Sequence, residues 1–145
     1  MGRRVYTFDA DLELKDAGAV TSSAAAQVDG AAKILDMGAA RFDGLVVINV
    51  TAIDIATNDE VYDIVVQGSN SATFASGIEN LAQINLGATE VRDGGAQDST
   101  VGIYELPCTN EAADTVYRYI RLYTKVGAAG SSINYTAFLS TQAGR

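Results

Sequence analysis

Several groups of side chains have the types and spacing to do chemistry. Asp9, Asp11 and Glu13 stand two apart, so on a strand their carboxylates project from one face and offer the oxygen ligands that calcium takes. The glycine-bearing loop of an EF-hand is absent, and a solvated acidic face is the plainer reading. Asp54, Asp59, Glu60 and Asp63 contain carboxylate pairs of the kind that cleave glycosides, yet nothing else marks a sugar cleft. Ser22 and Ser23, Ser69 and Ser71, and Ser131 and Ser132 become nucleophiles only beside a base. The chain has no histidine and no G-x-S-x-G elbow, so they read as loop residues. Gly94-Gly95 lacks the lysine or helix of a phosphate-cradling loop and reads as a turn. Cys108, beside Pro107, has no cationic neighbour in sequence to lower its pKa and reads as a small packed side chain. One row points to recognition instead. Tyr117, Tyr119, Arg121 and Tyr123 share a parity, and tyrosine and arginine are enriched at the centres of protein interfaces. Its plain alternative is a second core face.

Composition removes most enzyme templates. Zero histidines take away the commonest general base and metal ligand, and a single cysteine excludes an internal disulfide and a cysteine-based zinc site. The expectation is a protein that is not an enzyme, with no catalytic residue, no cofactor and no metal. At 48% hydrophobic and 19% charged, the 145 residues suit one soluble globular domain rather than a disordered or membrane chain. Ten bases against eighteen acids give a charge of -8, the wrong sign for gripping nucleic acid. Arg3 and Arg4 are followed by a stretch broken by Asp9, Asp11 and Glu13, so no signal-peptide core is expected, and synthesis should end in the cytoplasm. The triplets Asn49-Val50-Thr51 and Asn134-Tyr135-Thr136 lie in strand-like runs and are read as chance matches to a glycosylation site.

The elements that must position these groups are strands. Thr115 to Val126 alternates strictly, with Val116, Ile120, Leu122 and Val126 on one side and the tyrosine and arginine row on the other, which predicts one continuous strand. Leu45 to Ile55 is apolar on both parities at its start and belongs near a sheet centre. Val61 to Gln67 follows the Asn58-Asp59-Glu60 turn, so an antiparallel hairpin with the preceding strand is the simplest connection. Ile78 to Leu86 fits neither strand nor helix cleanly. Val101 to Leu106 predicts a strand ending at Pro107, and Ile133 to Leu139 predicts the last one. Tyr6 to Leu14 alternates, while Gly18 to Ala32 is small and polar and reads as a loop or extended arm. Short strands joined by Gly, Asn, Asp and Ser turns indicate an all-β sandwich or jelly roll. Residues alone lead to a structural or binding module without naming its partner.

Six segments carry a resemblance: DLELKDAGAVTSS, AAKILDMGAARFDGLVVINV, VQGSNSATFASGIENLAQINLG, YELPCTNE, YRYIRLYT and INYTAFLS. In content and order, from Asp11 to Leu139, they resemble the cement proteins of tailed-bacteriophage heads, of the type found on Bordetella phage capsids. The resemblance implies one domain over residues 1–145, a jelly-roll β-sandwich of about eight antiparallel strands, with residues 1–10 and 141–145 as terminal arms. It implies a decoration protein on the outside of the virion, made in the host bacterial cytoplasm, that bridges neighbouring major capsid protein subunits and stabilises the expanded shell. The implied partners are the major capsid protein and further copies of the chain, a dimer at two-fold positions being favoured over a trimer. No nucleic acid and no membrane is implied. The alternative from another class is a carbohydrate-binding jelly-roll module on the virion surface, with exposed tyrosines as sugar platforms.

Overall fold

The computed structural model describes residues 8–140 of the chain; Tyr6, most of the expected amino-terminal arm and residues 141–145 lie outside that range. The described chain is all-β and antiparallel, with fourteen strands and one 3-10 turn, Ala10–Leu12. The strands are β1 (Glu13–Lys15), β2 (Ala19–Val20), β3 (Ala24–Ala25), β4 (Gln27–Val28), β5 (Ala31–Ala32), β6 (Leu35–Asp36) and β7 (Asp43–Ile53), followed by β8 (Val61–Ser69), β9 (Glu79–Gly87), β10 (Gly102–Thr109), β11 (Glu111–Ala112), β12 (Thr115–Val116), β13 (Tyr119–Gly127) and β14 (Ile133–Ser140). One five-stranded sheet runs β1-β14-β7-β10, with β2 also on β14; the other runs β3-β13-β8-β9, with β6 also on β13. Two small two-stranded ladders, β4-β5 and β11-β12, complete the pairing.

A single core lies between the two larger sheets. Val46, Ile48 and Val50 of β7 and Ile133, Tyr135, Ala137 and Leu139 of β14 meet Tyr62, Ile64 and Val66 of β8 and Ile120 and Leu122 of β13. Alternation sets these faces, because successive strand side chains point to opposite sides. Each fully buried Val, Leu or Ile contributes about 1.5–3 kcal/mol relative to exposure, so this two-sided layer is what holds the sheets together. One polar tie crosses it: the Tyr135 and Thr124 hydroxyls meet at 2.5 Å, both residues fully buried. At the margin, buried Lys15 donates to the carbonyls of Asp16, Gly18 and Tyr135 at 2.8–2.9 Å, and its ammonium sits 4.6 Å from the centre of the Tyr135 ring. Burial lowers the Lys15 pKa, partly opposed by Asp16.

Several expectations are corrected. The expected hairpin does not form: β7 pairs with β10 and β14, and β8 pairs with β9 and β13, so residues 54–60 cross between sheets. Both strands are buried on two faces over much of their length, and each needs neighbours on both edges, which a hairpin alone does not give. Ile78 to Leu86 resolves to β9, whose irregular pattern comes from a register shift opposite Val66 and Gln67 that leaves Leu81 and Ala82 both packed on the core. Pro107 lies inside β10, where it is tolerated because β10 is an edge strand. Residues 18–32 are not a loose arm: β2 bonds to β14 and β3 to β13, so this stretch steps from one sheet to the other. Asp9 and Asp11 do not share a strand face with Glu13, because Asp9 caps the 3-10 turn by accepting from the Asp11 amide at 2.9 Å.

Candidate functional site

The expected interface row divides at Arg118. The strand predicted from Thr115 to Val126 is interrupted, with Thr115–Val116 turned back onto β11 and β13 starting at Tyr119. Asn110, itself buried, causes the break: its carbonyl accepts from the Tyr117 amide at 2.7 Å, and its side-chain amide donates to the Tyr117 carbonyl at 3.0 Å and to the Ala40 carbonyl at 2.9 Å. The side chain of Tyr117 therefore leaves the row. A Cβ placed on Gly68 would lie 2.9 Å from the Tyr117 Cβ, on the side of β8 that faces inward with Ile120. Gly68 is needed because Tyr117 and Leu81 occupy the space a side chain would take.

Tyr119, Arg121 and Tyr123 do share the outer face of β13, opposite Ser69, Gln67 and Val65 of β8. All three are half-buried rather than open. The cover comes from the loop between β8 and β9. Phe74, 6% exposed in a loop whose other side chains mostly face solvent, lays its ring 4.4 Å from the Arg121 guanidinium, and the Tyr123 ring lies 5.6 Å away. Phe74 adopts φ +55°, a conformation unusual for a bulky residue, and serine hydroxyls brace it: Ser69 donates to the Ser76 carbonyl at 2.8 Å, and Ser71 accepts from Ala75 at 3.2 Å. Gln67 accepts from Arg121 Nε at 3.0 Å and donates to Asn80 at 3.2 Å. At the end of the same face, Arg118 grips Asp36 through two bonds of 2.8 and 2.9 Å. These bonds, and one from the Gly38 amide, hold the Asp36 carboxyl at about 2. Phe74 and Asn110 were missed in the sequence; the signal for Phe74 is that it is the one large apolar residue in the Ser-, Ala- and Gly-rich run 69–77.

The opposite sheet presents a different surface. On its outer side Ile103 stands across from Asn49, which stands across from Thr136, a row without charge. Ile103 and the adjacent Val101 are 59% and 58% exposed. Nearby Leu45, Val47 and Phe138 form a small second cluster, and the exposed Phe8 ring meets Phe138 edge-on at 5.1 Å. The next row of the same face, Glu105, Val47, Phe138 and Glu13, has a carboxylate at each end, so the surface is an exposed aliphatic patch with an acidic rim, a composition suited to an interface.

Of the four carboxylates considered for catalysis, Asp59 and Glu60 meet at the Thr57 hydroxyl, at 2.5 and 2.6 Å, while Asp54 and Asp63 are held elsewhere. Asp54 accepts from the Ala56 amide at 3.0 Å, and Asp63 faces Lys125 on the outer side of β8. Glu60 is buried; its Oε1 accepts from the Thr57 hydroxyl at 2.6 Å and from the Thr57 amide at 2.7 Å, and these bonds hold its pKa below the usual value. Among the described residues no three His, Cys, Asp or Glu side chains gather in a way that would hold a metal ion. Burial, with Asp43 adding to it, pushes the Cys108 thiol up to about 11, so it is not a thiolate at neutral pH. No helix of the described chain is long and apolar enough to cross a membrane. No protein-family model and no curated protein matches this chain.

Proposed function

We propose that this chain is a structural cement protein that binds the outside of a tailed-phage head, bridges neighbouring major capsid protein subunits and stabilises the expanded shell. The observation that carries the reading is the pair of unlike outer faces on one core: a stacked tyrosine and arginine face on β13, and on the opposite sheet the exposed aliphatic patch of Val101 and Ile103 at the end of β10, in a face that also carries Glu105 and Asp43. A bridge needs two attachment surfaces held rigidly apart, and the sheets supply that spacing. The segment resemblance names the kind of partner. In this reading the two larger sheets are a jelly roll whose framework is the seven strands of three or more residues, and the seven two-residue strands trim its edges.

Each copy then works mechanically. Separating two shell subunits under internal pressure also requires detaching the bridge, and two modest contacts on one body gain effective concentration from each other. A dimer over a two-fold position doubles that gain. Preference for the expanded shell follows only if the site is completed by expansion, because a ligand favours a state through differential affinity. The half-burial of Tyr119 and Tyr123 gives the sugar-platform reading little support. Electron imaging of heads with and without the purified chain tests the proposal. Added density outside the shell at positions contacting two or more subunits is expected, and shells that stay bare at saturating chain overturn it.

A further inference from the structure

Arg121 is built as a recognition group, and no acidic side chain among the described residues pairs with it. Its guanidinium is flanked by Phe74 and Tyr123, and its Nε is fixed by Gln67, which is itself tied to Asn80. The plane and direction of the fork are thereby set. Among the described residues its two terminal amines have no hydrogen-bond partner, and neither is buried. The other arginines of the described residues are engaged: Arg41 pairs with Asp43 and Glu111, Arg118 with Asp36, and Arg92 donates to the carbonyls of Asn85 and Gln97. In a chain with eighteen acids and ten bases, an oriented arginine that no acid neutralises stands apart. Burial and Tyr123 are what act on its charge, with no carboxylate contributing.

We propose that the stacked Arg121 is a carboxylate-binding site, whose two terminal amines receive an Asp or Glu side chain presented by a partner protein. Arginine suits this because its planar fork matches a carboxylate through two parallel hydrogen bonds, and stacking removes in advance much of the freedom lost on binding. A nucleic-acid phosphate is disfavoured, because a body of charge -8 repels a polyanion, whereas one carboxylate meets a local surface of Tyr119, Gln67, Asn80 and Gln83. The identity of the partner as a shell protein rests on the function proposed above; the site itself does not.

The test uses the full chain labelled with 15N-arginine. Side-chain NMR signals are followed during titration with capped glutamate, and in parallel with inorganic phosphate and with sodium chloride at matched ionic strength. The expected result is a saturable shift of the Arg121 signals with capped glutamate, larger than with chloride and larger than at Arg41 or Arg118. Phe74→Ala should weaken it by roughly three- to tenfold through lost preorganisation. The Tyr119 and Tyr123 ring-proton signals should also shift with capped glutamate in the parent, and in Arg121→Lys, which keeps the charge and loses the fork, that shift should vanish. Equal shifts at all three arginines, tighter binding of phosphate, or persistence of the tyrosine effect in the lysine variant overturns the site. If the titration succeeds and shells stay bare, the function reading fails and the site stands; the reverse pattern removes the site alone.

Discussion

The Tyr135 and Thr124 pair offers a test whose size can be worked out from the structure. The two hydroxyls meet at 2.5 Å in a fully buried position between the sheets, and neither has another partner among the described residues. Tyr135→Phe strands the Thr124 hydroxyl, and Thr124→Val strands the Tyr135 hydroxyl; an unsatisfied buried group costs about 1–3 kcal/mol in each case. The double variant removes both polar groups together and, with shape largely kept, should lose about 1 kcal/mol or less. The cycle therefore predicts strong non-additivity, with a coupling of about 1–5 kcal/mol in the sense that the double variant is more stable than the sum of the singles. Urea unfolding of the four proteins measures it, provided the slopes agree so that midpoints report stability. Phenol titration gives an independent check, since burial raises the Tyr135 pKa to about 12 and the hydrogen bond from Thr124 opposes that rise. In Thr124→Val the Tyr135 pKa should climb further. Additive singles, or a neutral Thr124→Val, would refute the claim that this contact ties one sheet to the other.

Three further outcomes follow from the same structure. Asp36 is held at about 2, below the unfolded value of 3.8, so its contribution is complete above 3.8 and is lost as pH falls toward 2; Asp36→Asn should flatten the fall in unfolding midpoint across that window, as thermal scans at stepped pH will read. Gly87→Ala should destabilise by about 2 kcal/mol or more, because φ is +137° and a Cβ would lie 2.3 Å from the Glu60 carbonyl oxygen; an unchanged urea midpoint would contradict the geometry. Ile103→Glu replaces the exposed aliphatic side chain of β10 with a charge beside Glu105 and should leave the fold within about 0.5 kcal/mol of the parent while cutting shell attachment at least tenfold in a sedimentation assay.

Legibility in the sequence followed burial pattern. β13 and β14 show clean period-two alternation because one side of each packs on the core, and Ile133, Tyr135, Ala137 and Leu139 are buried as that parity requires. The route from β7 to β8 was not legible, because two strands separated by a short acidic turn look the same whether they pair or cross to opposite sheets. Strands β2 to β5 were hidden by their own alanines and by the serines and glycines between them: two-residue strands bonded to a neighbour need no apolar signature. In the candidate site the residue types at Tyr119, Arg121 and Tyr123 were readable. Their cover was not, since Phe74 reaches them from a different loop and Tyr117 is drawn away by Asn110, contacts set by tertiary structure.

The central claim is that the chain strengthens a viral shell by attachment alone. The temperature at which heads release their DNA, read with an intercalating dye, tests it most directly when measured on heads lacking the chain before and after the purified protein is added back. The account predicts a release temperature several degrees higher with the chain bound, an increase lost with Ile103→Glu. Identical release curves with and without bound chain would contradict it.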